Sequence, residues 1–235
     1  MAFDNQHYQE VHKSIKATVL KYIEPSFFAN KSVISIGEGG GDFAKWLTDM
    51  SANVLATDAN PDNLAELSGQ AFSVEPFDAN TDKLTKVYDL CWHVQVLYHL
   101  ATIDEHLADV CKNSNFLILQ TEVIDSDNAT DCLTVNELSD QRDQSRTGLG
   151  TRPSPAYVEA ILSANGMNFK RITDPLLNTT FISESDEITR TILRYDWICT
   201  NTKLYQHWND PAYNIASFWI CWKNGQTNPI VAGLQ

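Results

Sequence analysis

Val33-Ile34-Ser35-Ile36-Gly37-Glu38-Gly39-Gly40-Gly41-Asp42 is the stretch on which the fold turns. Three β-branched residues in four make a short buried-strand pattern, and they run directly into a glycine-rich turn. Residues 42–50 then read as a helix with Phe43, Trp46 and Leu47 on its inner face. Glycines permit a sharp turn and let backbone approach a ligand closely, and the helix start beyond them offers unpaired N–H groups. A strand, a glycine loop and a helix in this order open a nucleotide-type α/β unit.

Reading outward, the alternation repeats. Residues 54–57 form a second strand, and Pro61 suits the first turn of a helix running through Leu67. Residues 71–77 and 88–94 are a third and a fourth strand. A helix over 103–112 and a fifth strand over 115–123 follow. Strands alternating with helices at this spacing predict an α/β, Rossmann-like fold: a mostly parallel sheet with helices on both faces. Before the glycine loop, Tyr8, Val11, Ile15, Val19 and Tyr22 recur at helical spacing. Beyond the fifth strand the pattern breaks. Residues 124–151 are polar and rich in Asp, and read as a lid or a short helix. A helix over 153–165, a strand over 169–172, an insertion over 175–210 and a last strand over 215–222 complete the chain, with a frayed tail after Lys223. One domain over 1–235 is expected, with 1–30 as an N-terminal helical cover and 31–174 as the cofactor-binding core. The insertion 175–210 is read as a cover over a second ligand, and 211–235 as last strand and tail.

Bulk composition narrows the partners. With 43% hydrophobic and 20% charged residues the chain is ordinary globular material. The formal net charge of −13 and the lack of any Lys/Arg cluster work against a phosphate backbone, so no nucleic-acid partner is expected. The five cysteines form no C-x-x-C pair, so neither a metal site nor a disulfide framework is expected. No run approaches a membrane span, and the first residues lack the basic start and apolar run of a leader, which points to the cytoplasm.

The loop chemistry chooses among adenosine cofactors. The dinucleotide fingerprint Gly-x-Gly-x-x-Gly would put a third glycine where Asp42 stands, and an acid there would face a pyrophosphate. The spacing of Gly37, Gly39 and Gly41 reads instead as Gly-x-Gly-x-Gly. Asp58 follows Gly37 by 21 residues, at the end of the second strand, where an acid can hold both ribose hydroxyls. Its alternative role is a helix cap before Pro61, which Asn60 fills equally well. Asp78-Ala79 follows the third strand.

These motifs resemble class I S-adenosylmethionine (SAM)-dependent methyltransferases. The run Asp89-Leu90-Cys91-Trp92-His93-Val94-Gln95-Val96-Leu97-Tyr98-His99-Leu100, then Leu117-Ile118-Leu119-Gln120-Thr121-Glu122-Val123, is similar to a "VLYHL … ETxV" subgroup. That subgroup includes wobble-uridine tRNA enzymes and many sugar or natural-product methyltransferases. Thr151-Arg152-Pro153-Ser154 and Phe218-Trp219-Ile220 resemble its later segments, so the likeness covers roughly residues 30–222 in order. It implies a seven-stranded sheet with an inserted cover and SAM as cofactor, S-adenosylhomocysteine (SAH) being the product. Gly37, Gly39 and Gly41 would bend around the methionine part, Asp58 and Ala59 would meet the ribose, and Asp78 and Ala79 the adenine. His93, Val94 and Tyr98 would lie toward the sulfonium. Ser35 replaces the first acid of the family's loop motif, and Glu38 is the candidate to supply that charge.

Methyl transfer to an alcohol needs alignment and a proton acceptor. His93, His99 and Glu122 stand near the carboxyl ends of adjacent strands and are the candidate catalytic groups, His93 first. Arg152, with Arg142 and Arg146, offers cations to an acceptor, though pairing with nearby acids is the simpler role. Tyr195 and Trp197, and further on His207 and Trp208, offer flat faces for a sugar or ring, or else belong to the core. The expectation is a SAM-dependent methyltransferase acting at oxygen on a small-molecule or saccharide-like acceptor. A tRNA methyltransferase, a non-catalytic SAM-binding subunit and an NAD-dependent oxidoreductase are the rivals.

Overall fold

Helix α1 (Gln6–Tyr22) lays Val11, Ile15 and Val19, each at most 1% exposed, against one face of a central sheet. The structure, a computed structural model, describes residues 6–182, 189–200 and 215–234. Strand β1 (Ser32–Ile36) leads through the glycine loop into α2 (Asp42–Asp49). Next come β2 (Asn53–Asp58), α3 (Pro61–Leu67), β3 (Ser73–Pro76) and β4 (Tyr88–Val94). Helix α4 (Ile103–Lys112) and β5 (Ser114–Glu122) follow. The helix starts obey local chemistry: Asn60 caps α3 by accepting from the Asp62 N–H at 2.9 Å, with Pro61 at its first position.

Counting only strands of the main sheet in chain order, they lie third, second, first, fourth, fifth, seventh, sixth. The sixth is β8 (Met167–Ile172) and the seventh β11 (Ala216–Lys223). All pairings are parallel except those of β11, which runs antiparallel to both β5 and β8. A dinucleotide-binding sheet continues 4-5-6 in parallel, so the inserted antiparallel strand sets this topology apart.

Side chains of the inner strands alternate between two cores, which is why their sequences read as continuous apolar runs. Leu90, Trp92 and Val94 of β4 face α1 and α2, whereas Cys91 faces α4 and α5 (Pro155–Ala164). The Trp92 ring lies tilted 5.1 Å from that of Phe43 and edge-on 5.5 Å from that of Trp46, so the inner face read from α2 packs as expected.

Three segments differ from the reading of the sequence. Residues 124–151 hold no helix. They carry β6 (Cys132–Asn136), paired antiparallel with β7 (Leu149–Pro153). The alternation in Cys132–Asn136 is too short to stand out from its polar flanks, and only the pairing makes it a strand. Within 175–210, β9 (Thr179–Ile182) and β10 (Thr189–Leu193) form a second hairpin. The tail is not frayed near its end: Ile230 is 2% exposed, and the Val231 N–H donates to the Tyr22 carbonyl at 2.9 Å.

Candidate active site

Strand order reverses between β1 and β4, whose neighbours lie on opposite sides. Ligands of open α/β sheets bind in the crevice at the carboxyl ends of such strands. A cleft of ≈ 910 Å³, measured out to its mouth, lies there. Its floor is the glycine loop. Gly37 (φ +66) and Gly41 (φ +87) hold left-handed conformations. A Cβ on Gly37 would stand 2.4 Å from Val96 Cγ2, so the loop tolerates nothing larger there.

Asp58 ends β2 beside this loop, 7% exposed. One oxygen accepts from the Gly39 N–H at 2.9 Å and the other from the Asn60 N–H at 2.7 Å. Asn60, not Asp58, is the helix cap. Each Asp58 oxygen still has a lone pair for a ligand hydroxyl.

Glu38 lines the cleft by position, but its side chain folds under the loop. One oxygen accepts from the Ser35 hydroxyl and the other from the Ala44 N–H at 2.7 Å. Burial pushes this carboxyl up to about 7, against the pull of those hydrogen bonds. Glu38 is therefore committed to the loop and α2, and the small Ser35 leaves room for it.

One half of the cleft is an apolar slot walled by Phe77, Ala79, Val96 and Leu100, with Asp78 and Asn80 at its edge. Asp78 accepts the Asn80 N–H at 2.9 Å on one oxygen, and Asn80 accepts the Ala101 N–H at 3.0 Å. Residues 142–146 cross over the cleft. Arg142 ties them to α3, donating to Asn63 at 2.8 and 2.6 Å and to Glu66 at 2.6 Å. The other half lies over Val94 and Gln95. Gln95 has φ +63, and its N–H donates to the buried Gln120 side chain at 2.9 Å. Tyr8, His12 and Phe43 bound this half, as do Tyr98, His99, Asp143 and Arg146. The Tyr8 hydroxyl donates to Asp143 at 2.7 Å, closing α1 onto the 142–146 segment.

Of the groups anticipated from sequence, the structure brings Gly37, Gly39, Asp58, Ala59, Asp78, Ala79, Val94, Tyr98 and His99 to the cleft. Gly41 lies behind it, packed on Leu67. His93 is fully buried on the opposite side of β4, its Nε2 2.8 Å from Nε2 of His106 on α4. Burial pushes His93 down to about 4 and His106 well down, so the pair is neutral. A fully buried, neutral side chain that does not line the cleft is not placed to take a proton from an acceptor there, and His93 is corrected to a core residue. Side-chain alternation puts it there: its neighbour Trp92 takes the α2 face.

Glu122 and Arg152 do not line the cleft either. Arg152 stands 2.8 Å from Glu122 and 3.1 Å from Glu137, and donates to the Tyr98 carbonyl at 2.9 Å. Burial would push Glu137 up, but His99, at 2.5 Å, and Arg152 hold it below its ordinary value. Arg152 is thus spent on internal acids rather than on an acceptor. Tyr195, 2% exposed, accepts from Gln120 at 3.0 Å, and the Trp197 indole donates to the Ala216 carbonyl at 3.2 Å. Tyr195 belongs to the interior and Trp197 is half-buried against the core; neither lines the cleft, which corrects their assignment to acceptor binding. His207 and Trp208 lie outside the described residues. Sequence reasoning missed Tyr8, His12, Gln95, Asp143 and the strap role of Arg142. Tyr8 shares the helical spacing of the core residues, which hid it among them.

Among the described residues no helix is long and apolar enough to cross a membrane, and no three His, Cys, Asp or Glu side chains converge on a metal position. No protein-family profile matches the chain, and no curated protein matches it in sequence. Solved structures do match in fold. The N-terminal domain of EvdMO1, crystallised in the presence of SAH and D-fucose, superposes at TM-score 0.61 with 13% identity, over 94% of this chain and 84% of that one. A SAM-dependent methyltransferase from Mesorhizobium loti gives 0.52 at 11% identity, over 74% and 87%. Magnesium protoporphyrin IX methyltransferase from Synechocystis PCC 6803 with bound SAH gives 0.53 at 14%, over 94% and 88%. The fold is that of the class I SAM-dependent methyltransferases.

Proposed function

We propose that this chain is a SAM-dependent methyltransferase acting on a small-molecule or saccharide-like acceptor, at oxygen. One observation carries the reading: at the switch point, a glycine loop and Asp58 form a polar seat whose unused lone pairs face an apolar slot. That donor and acceptor set fits an adenosine. Asp58 would meet the ribose hydroxyls, Phe77, Ala79 and Leu100 would enclose the adenine, and Asp78 has an oxygen with no backbone partner for the amino group. The backbone at Gly37, Gly39 and Val94 would border the methionine part. SAM, when bound, supplies a methyl group on a positively charged sulfur. The protein's part is to exclude water and align the acceptor. Tyr8, Asp143 and the strap 142–146 perform the first task.

The antiparallel β11 and the acid at position 42 speak against a dinucleotide. The acidic surface speaks against RNA and fits work in the cytoplasm. A saccharide or other hydroxyl-bearing acceptor suits the polar half of the cleft, where Tyr98, His99, Asp143 and Arg146 offer donors and acceptors. Calorimetry with SAH and with NADH tests the cofactor: SAH binds and NADH does not. Labelled methyl transfer from SAM to D-fucose and related deoxysugars tests the acceptor. Transfer to bulk tRNA, or NADH binding without SAH binding, would refute the reading.

A further inference from the structure

Helix α1 carries into the cleft an imidazole that the proposed cofactor does not use. His12 stands one turn after Tyr8, its side chain 14% exposed and its ring 4.3 Å from that of Phe43. Nδ1 is 2.9 Å from Oδ2 of Asp42, and Nε2 is 3.2 Å from Oε1 of Gln95. Lys16 donates to the same Asp42 oxygen at 2.6 Å. The hydrogen bond from His12, followed by that from Lys16, holds the Asp42 carboxyl down to about 2. Asp42 is therefore a carboxylate and only accepts, so Nδ1 of His12 carries a proton. Lys16 already gives Asp42 its counter-charge, so the pair does not require a charged imidazole. A neutral ring with the proton on Nδ1 has its lone pair on Nε2, aimed at Gln95. As placed, Gln95 turns its carbonyl oxygen to Nε2; with the amide turned by half a rotation its NH₂ meets that lone pair, and an acceptor hydroxyl entering the cleft takes the place of that NH₂. Gln95 is the first residue beyond β4, at the point where the sheet's strand order reverses, so the lone pair is directed to the reacting half of the cleft.

We propose that His12 is the base that takes the proton of the acceptor hydroxyl, and that Asp42 is the positioning residue that fixes its tautomer. The proposal rests on the methyltransferase reading. The proton passes from the hydroxyl to Nε2 as the oxygen forms its bond to the methyl carbon. The carbon–sulfur bond breaks with its electron pair left on sulfur, and the imidazolium returns its proton to water after product leaves. The groups that face His12 are Asp42 and Phe43 from α2, Gln95 from the end of β4, and Tyr8 and Lys16 from its own helix.

The test combines imidazole ¹⁵N NMR, calorimetry and turnover. In the SAH complex at pH 8, His12 (assigned by its loss in His12→Gln) shows a neutral ring protonated on Nδ1, and Asp42→Asn moves that proton to Nε2. His12→Gln keeps SAH affinity and melting temperature; His12→Asn replaces it if the glutamine variant melts low. With D-fucose as the probe acceptor, kcat falls by roughly 10²- to 10⁴-fold while KM moves little. A proton on Nε2, or an imidazolium at pH 8, overturns the proposal. So does an unchanged kcat, or a loss of SAH affinity of roughly tenfold or more, which would make His12 a cofactor ligand. If the wild type leaves D-fucose unmethylated, tautomer and affinity decide. If the wild type fails to bind SAH, the methyltransferase reading falls instead, and the tautomer is then read in the free protein.

Discussion

Asp58 concentrates two duties in one carboxylate. It braces the loop through the Gly39 and Asn60 N–H groups, and in our reading it holds the ribose. Charge-assisted hydrogen bonds contribute about 1.5–3 kcal/mol each and are not additive, so Asp58→Ala lowers SAH affinity by roughly ten- to several-hundred-fold. The same variant leaves two donors without their acceptor in a buried place, so apo melting temperature falls as well. Calorimetry and apo melting on one preparation measure both, and unchanged affinity would remove Asp58 from the ribose. Glu38 and the His93–His106 pair make opposed contributions to pH dependence. Glu38 is raised from 4.5 to about 7 in the folded protein, so its stabilising contribution is complete below 4.5 and is lost as pH rises through 7. His93 is lowered from 6.5 to about 4, so its contribution is complete above 6.5 and is lost as pH falls through 4. The two slopes oppose each other between pH 4.5 and 6.5. Urea midpoints at pH 5 and 6.5 therefore change with opposite sign in two variants: Glu38→Gln gains stability with rising pH relative to wild type, and His93→Gln/His106→Gln loses it. A shared sign would show that these groups do not titrate as their burial dictates.

At the scale of elements, the cleft is built by a loop that cannot change and a strap that can. Gly37→Ala puts a methyl 2.4 Å from Val96 Cγ2 at a positive φ, so the loop must shift and SAH binding is lost. Calorimetry reads this directly, and retained affinity would show that the loop yields. The 142–146 strap is held by Arg142 on Asn63 and Glu66 and by Tyr8 on Asp143. Arg142→Ala cuts the first tie without touching the sheet. Amide hydrogen exchange over residues 138–148 then rises and SAH dissociates faster, while the melting temperature stays near that of the wild type. An exchange pattern identical to wild type would mean that the Tyr8–Asp143 bond and the pairing of β6 with β7 hold the strap without the Arg142 side chain.

At the scale of the whole molecule, two cores share one sheet, and the cleft opens where strand order reverses, between β1 and β4. The net charge of −13 is a property of this scale too. It repels a phosphate backbone at long range, so methyl transfer to tRNA should be undetectable at physiological salt and should not appear when salt is lowered. Filter binding with labelled SAM at 50 and 200 mM salt checks this.

What the chain determined locally was legible without coordinates. Hydrophobic period and turn chemistry depend on near neighbours, so the α/β alternation, the bounds of β4, α3 and α4, the glycine loop and Asp58 could all be read in order. The tertiary structure decided what depends on two distant segments meeting. His93 looks like a catalytic group at a strand end, but side-chain alternation across the sheet turns it toward His106, thirteen residues on. Arg152, Tyr195 and Trp197 have the chemistry of ligand contacts, yet each finds a partner inside. Glu38 could not be placed until Ser35 was seen to leave it room beneath the loop. Tyr8 and His12 lie far from the motifs in sequence, and they face the cleft because α1 shares a core with α2 on one face of the sheet. The inserted antiparallel β11 is likewise invisible locally, since a buried strand has the same composition in either direction, and only its hydrogen-bond partners set its sense.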